Sequence, residues 1–138
     1  MGSFFFAIEM KTRAIFVFLF SVVILVGCNS EKRNVEKAAQ GYLDAVTNFK
    51  TDEARKYAAP DFEQYIEMME IFVSWAHKDT IAALIPNKVT INNVEIYADT
   101  AAIVSFHSSN PRQETDAQIK MIKIDGEWKV VAQGERVE

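Results

Sequence analysis

Cys28 is the only cysteine of this 138-residue chain, and it stands where the most apolar stretch stops. With no second thiol the chain can close no internal disulfide and build no Cys-x-x-Cys metal site. Its two histidines, His77 and His107, lie too far apart for a metal-ligand spacing. No phosphate-binding glycine loop, nucleophile elbow or Ser-His-Asp arrangement is present, so no cofactor is expected. What remains is an order of residue types: cations at Lys11 and Arg13, an uncharged run "AIFVFLFSVVILV", the small Gly27, and then the thiol.

That order has a mechanical reading. The uncharged run covers 14–26. It is short of the roughly 20 residues a helix needs to span a hydrocarbon core, and inside the roughly 7–15 of a secretory signal. "LVGC" at 25–28 resembles the lipobox of bacterial lipoproteins. The resemblance implies cleavage before Cys28 and a diacylglyceryl group on its sulfur, with residues 1–27 as signal peptide and 28–34 as lipidated cysteine and polar tether. Two or three acyl chains make a stable anchor where one holds only marginally. Asn29, where an aspartate would resemble the inner-membrane retention signal, points to the outer membrane in a cell with two membranes. Met10 heads a conventional signal, "MKTRAIF", and is an alternative start.

From Cys28 onward the chain carries 13 Lys and Arg against 18 Asp and Glu, a formal charge of −5, with the signs interspersed. No basic stripe exists to release counterions from a phosphate backbone, so nucleic acid is not an expected partner. Attachment to a membrane is left to the lipid on Cys28.

The elements follow from periodicity. Val35, Ala38, Ala39, Tyr42, Leu43, Val46 and Phe49 form a helical stripe, with Asp44 pointing away from it. A short helix begins at Thr51 and cannot extend past Pro60. A third is expected from Asp61, its side chain capping and Gln64 completing a capping box, with Phe62, Tyr65, Ile66, Met69, Phe72, Val73 and Ala76 buried. His77 and Lys78 are expected to close that helix, and "TIAALI" gives a further turn. Past Pro86 the period becomes two. "KVTINNVEIYA" reads as a strand bulged at Asn92-Asn93, and Asp99-Thr100 as the turn into "AAIVSFHSS". Ala102, Val104 and Phe106 take one face of that second strand and His107 the other, a face suited to solvent or to a dimer interface. "AQIKMIKI" and "EWKVVAQ" follow, joined by the hairpin dipeptide Asp125-Gly126, with Trp128, Val130 and Ala132 expected on one face.

Helices followed by an antiparallel meander define an α+β domain over 35–138. The order, with "YLDAVTNFKTDEARKYAAPDF" and "KIDGEWKV", resembles the NTF2-like superfamily, in particular its small bacterial lipoproteins of the DUF4878 type. The resemblance implies a cone of curved sheet around a long helix, often with a pocket between them and often a homodimer through the outer sheet face. One departure is visible: "AAPDF" is too short for the strand that several members place there. The expected pocket-facing residues are Tyr42, Tyr65, Met69, Phe72, Phe106 and Trp128, with Val104 beside them. None is an acid or a histidine, so no catalytic residue is assigned. The reading is a membrane-tethered, non-catalytic binding or accessory module for a small apolar ligand or an envelope protein. The alternative is a small lyase or isomerase of the superfamily's enzymatic type.

Overall fold

The computed structural model describes residues 30–135, so the expected signal segment and Cys28 lie outside the described residues. By its contacts the chain divides into Met1–Arg33 and Asn34–Glu138, and the second unit carries its own core. Among the described residues no helix is long and apolar enough to cross a membrane.

Helix α1 occupies 30–47 of the described residues. Residues 30–34, read from sequence as an extended tether, are thus helical, in keeping with the helix formers Glu31, Lys32 and Arg33. Its stripe is buried as the spacing predicts, with Val35, Ala39, Tyr42 and Leu43 fully inaccessible. At about 1.5–3 kcal/mol per large apolar side chain, this face is a principal stabilising element. The helix stops in a Schellman arrangement: Lys50 N–H donates to Ala45 O, Phe49 N–H donates to Val46 O, and Phe49 takes φ 62°. Asn87 then clamps this end, its Nδ2 donating to Thr47 O at 2.6 Å and its N–H to Asn48 Oδ1 at 2.7 Å.

Helix α2 (Thr51–Arg55) and a 3-10 turn (Pro60–Phe62) lead into α3 (Glu63–Trp75). Asp61 does not cap α3. The 3-10 turn beginning at Pro60 absorbs it, Phe62 takes the N-cap position, and no side chain bonds there. Arg55 reaches across to pair with Glu70 and ties α2 to α3. His77 does not close α3 either, because it is the N-cap of α4 (Lys78–Ala83).

Four antiparallel strands follow in the order β1-β2-β3-β4: Lys88–Tyr97, Ala101–Ser109, Glu114–Ile124 and Glu127–Gly134. The β1 bulge falls between Ile91 and Asn93, where the alternation slips. The β1–β2 turn is centred one residue earlier than expected, with Ala98 and Asp99 both at positive φ. Asp125 and Gly126, both at positive φ, make the β3–β4 turn of the primed type their sequence predicts. The core lies between α1 and one sheet face, where Val94, Ala102, Val104, Phe106, Ile119, Met121 and Val130 are buried.

Strand β4 departs from simple alternation. Met121 pairs with Val130 but Lys120 with Ala132, so Val131 is an extra residue and the faces exchange beyond it. Ala132 therefore does not share the face of Trp128 and Val130. Gln133, opposite the buried Ile119, turns inward instead and accepts a 2.8 Å hydrogen bond from the Tyr42 hydroxyl. The outer edge of β4 is covered by 57–59: Val130 N–H donates to Tyr57 O, Ala59 N–H donates to Val130 O, and Ala58 bridges Val130 in parallel. This one bridge stands where a whole strand was expected to be missing.

Burial, and secondarily the neighbouring Tyr65, push the Tyr42 pKa far above the ordinary 10.0. A proton held more tightly in the folded state contributes stability that is full below pH 10 and lost as pH rises above it. Tyr42→Phe is expected to cost about 0.5–1.5 kcal/mol at neutral pH through the lost hydrogen bond. It should also flatten the loss of stability above pH 10, both read from denaturant titrations at pH 7 and pH 10.5.

Candidate functional site

The six aromatic and sulfur side chains expected to line one pocket are divided among three places. Tyr42 and Phe106 are packed in the core between α1 and the sheet, where the phenol has its Gln133 partner. Tyr65, Met69 and Phe72 lie together on α3, where with Phe49 and Met68 they line an apolar groove of about 290 Å³. Trp128 is 5% exposed at the start of β4, and its edge forms one wall of a separate cleft.

Sequence periodicity assigned Tyr65 and Phe72 to the buried face of α3, yet they are 37% and 50% exposed. Only Ile66 is fully buried on this helix, with Phe62 and Met69 packed against the core beside it. The helix is apolar over two faces, so spacing alone cannot select the inward one. Phe62 bridges the two environments, stacked on Tyr65 at 5.1 Å between centroids and tilted against Tyr42 at 6.3 Å. Partial burial raises the Tyr65 pKa above its ordinary value, keeping this phenol neutral across the physiological range.

The cleft is the larger concavity, about 560 Å³, formed between α1, the segment after α2 and the β3–β4 hairpin. Trp128 and Tyr57 supply aromatic walls, Ala38 apolar floor, and Asn34, Lys37, Lys56 and Glu127 a polar rim in which the cations outnumber the one carboxylate. Lys129, also in its lining, is already engaged with Lys56 O and with Glu127 Oε2 at 3.2 Å. This volume falls within the roughly 300–1,000 Å³ of small-molecule sites. Tyr57, Lys37 and Lys56 were not singled out from sequence. The available signal was Gly41, an interior helix glycine: a Cβ there would lie 2.5 Å from Tyr57 Cζ, so the missing side chain is what admits the ring.

On the outer sheet face His107 Nδ1 lies 2.8 Å from Asp116 Oδ1, and its Nε2 4.0 Å from Glu114. Lys120 Nζ stands 5.9 Å from the Tyr97 ring centroid. Both are half-exposed surface pairings. Among the described residues, no group of three or more His, Cys, Asp or Glu side chains could hold a metal ion.

No family model and no curated protein matches the chain. Solved structures do. An NTF2-like protein of unknown function from Shewanella baltica OS155 superposes with a TM-score of 0.58 at 13% identity, over 75% of this chain and 90% of that one. A second NTF2-like protein of unknown function, from Shewanella oneidensis MR-1, gives 0.54 at 13% identity, over 73% and 94%. Helices packed on a curved four-stranded antiparallel sheet are thus the NTF2-like α+β fold, which the sequence resemblance implied.

The Tyr57 backbone is pinned to β4, so the ring can yield to a new Cβ only by rotating out of the cleft wall. Gly41→Ala is expected to destabilise by about 1–3 kcal/mol, as overpacking does. In a Tyr57→Ala background the same change should become neutral or stabilising by up to about 1 kcal/mol, the helix preference for alanine. A double-mutant cycle of melting or denaturant midpoints measures the difference.

Proposed function

We propose that this chain is a non-catalytic binding module of the bacterial cell envelope, held to its membrane by lipid on Cys28, the outer membrane in a cell that has two. The observation that carries the binding reading is the Trp128–Tyr57 cleft. Two aromatic walls favour a flat apolar body, and Lys37 and Lys56 at the rim favour an anionic group on it. The ligand class is therefore a small aromatic molecule bearing a carboxylate or similar anion.

Catalysis of the enolate type needs a base and a hydrogen-bond donor a few ångströms apart in a site closed to water. The space between α1 and the sheet, where such a pair would sit, is filled by Tyr42, Val104, Phe106, Ile119 and Met121. The one phenol there is committed to Gln133 and kept neutral by burial, which makes it a poor proton acceptor. This favours binding without turnover.

Two measurements test the proposal. Cys28→Ala should move the protein from the detergent to the aqueous phase and abolish labelling by a palmitate analogue; unchanged partitioning would overturn the anchor. For the cleft, Trp75→Phe leaves Trp128 as the sole tryptophan. Titration with 1-naphthoate should then change its emission saturably, and Lys37→Glu with Lys56→Glu should weaken the binding at least tenfold, with the circular dichroism unchanged. Equal binding by the two-lysine variant would remove the cleft as the site.

A further inference from the structure

Helix α3 carries an apolar stripe left exposed among the described residues. Met68 is 69% exposed, Ile71 52%, Phe72 50% and Trp75 86%, with Tyr65 at their N-terminal end. At about 150–250 Å² for each large side chain, the exposed part amounts to about 600 Å², at the upper limit of the largest apolar patch on an ordinary monomer. A residue beside it is held at a backbone cost. Phe49 adopts a left-handed φ of 62°, unfavourable for a bulky residue, and its ring stands 6.5 Å from Phe72 on the flank of the stripe.

The order of residues says what fits there. Tyr65 and Trp75 are equidistant from position 70, and so are Met68 and Phe72. A helix whose apolar stripe is symmetric about its own midpoint meets itself when a second copy is turned end for end. Tyr65 of one copy then faces Trp75 of the other, and Met68 faces Phe72. Covering both stripes removes on the order of 1,200 Å² of apolar surface, which reaches the lower bound of stable, specific interfaces before any polar rim is added.

We infer that the chain forms a two-fold homodimer through antiparallel pairing of α3, a different surface from the outer sheet face. The inference is independent of the cleft between α1 and β4, and either can fail without the other. It predicts that each groove beside Met69 is roofed by the second copy, so that Phe49, Tyr65 and Phe72 face an enclosed apolar space in the dimer.

The test uses the full chain in its own envelope. Met68→Cys places a thiol near the two-fold axis, where paired helices at about 8–10 Å bring two copies within reach of a bis-maleimide spanning about 10–12 Å. The expected product has twice the monomer mass. It should fall at least tenfold when Trp75→Glu is added, a change at an exposed position that leaves the amount of protein in the envelope unchanged. Asp44→Cys, on the exposed side of α1, and the parent chain should give none. Absence of the double-mass product from Met68→Cys would overturn the inference, and so would its persistence with Trp75→Glu. An adduct of any other mass would assign the stripe to a different protein and overturn it equally.

Discussion

The hydrogen bond from Tyr42 to Gln133 joins the helical layer to the sheet where, among the described residues, a phenol enters the core. The Tyr42 hydroxyl needs an acceptor because an unpaired phenol under α1 would forfeit its hydration without return. Gln133 supplies it only because Val131 is an extra residue in β4, which exchanges the faces of the strand just before its end. Helix seating, strand bulge and side-chain identity are thus mutually dependent. A regular strand that kept Val131 in the ladder would turn Gln133 to solvent and put Ala132 beneath Tyr42, leaving both the volume and the hydrogen bond unfilled.

The same bulged strand organises the cleft. Before Val131, alternation points Trp128 and Val130 inward. The Val130 backbone meanwhile donates one hydrogen bond to Tyr57 O and accepts one from Ala59 N–H, and so fixes where Tyr57 emerges. Gly41 completes the arrangement by leaving room on α1 for that ring. The candidate binding surface is a by-product of how the sheet edge is closed, with no dedicated loop.

Much of this was legible in the residues and some was not, for identifiable reasons. The α1 stripe was readable because polar residues such as Asp44 interrupt it cleanly. The Asn92-Asn93 bulge was readable because two polar residues broke a period of two, and Asp125-Gly126 because its turn demands positive φ. The β4 bulge was hidden, since Val130, Val131 and Ala132 are all apolar and give periodicity nothing to register. Helix α3 misled for the same reason in another geometry, being apolar on both its inward and outward faces. Asp61 looked like a cap, but Pro60 fixes a tighter turn ahead of it. Of the pocket set, Trp128 lines the cleft, while Tyr42 and Phe106 serve packing. Side-chain type alone cannot separate these uses.

The interruption in β1 bears on how the open edge of the sheet meets other chains. β1 is the terminal strand of the sheet, and among the described residues its outer edge has no neighbouring strand. A flat terminal strand is a template on which another copy can add. Asn92 breaks the regular spacing of donors and acceptors midway along that edge, with charged Lys88 and Glu95 on either side and Gln40 Nε2 occupying Val89 O at 3.2 Å. Addition strand upon strand is thereby disfavoured at this edge, whereas the proposed pairing through α3, being two-fold, closes after two copies.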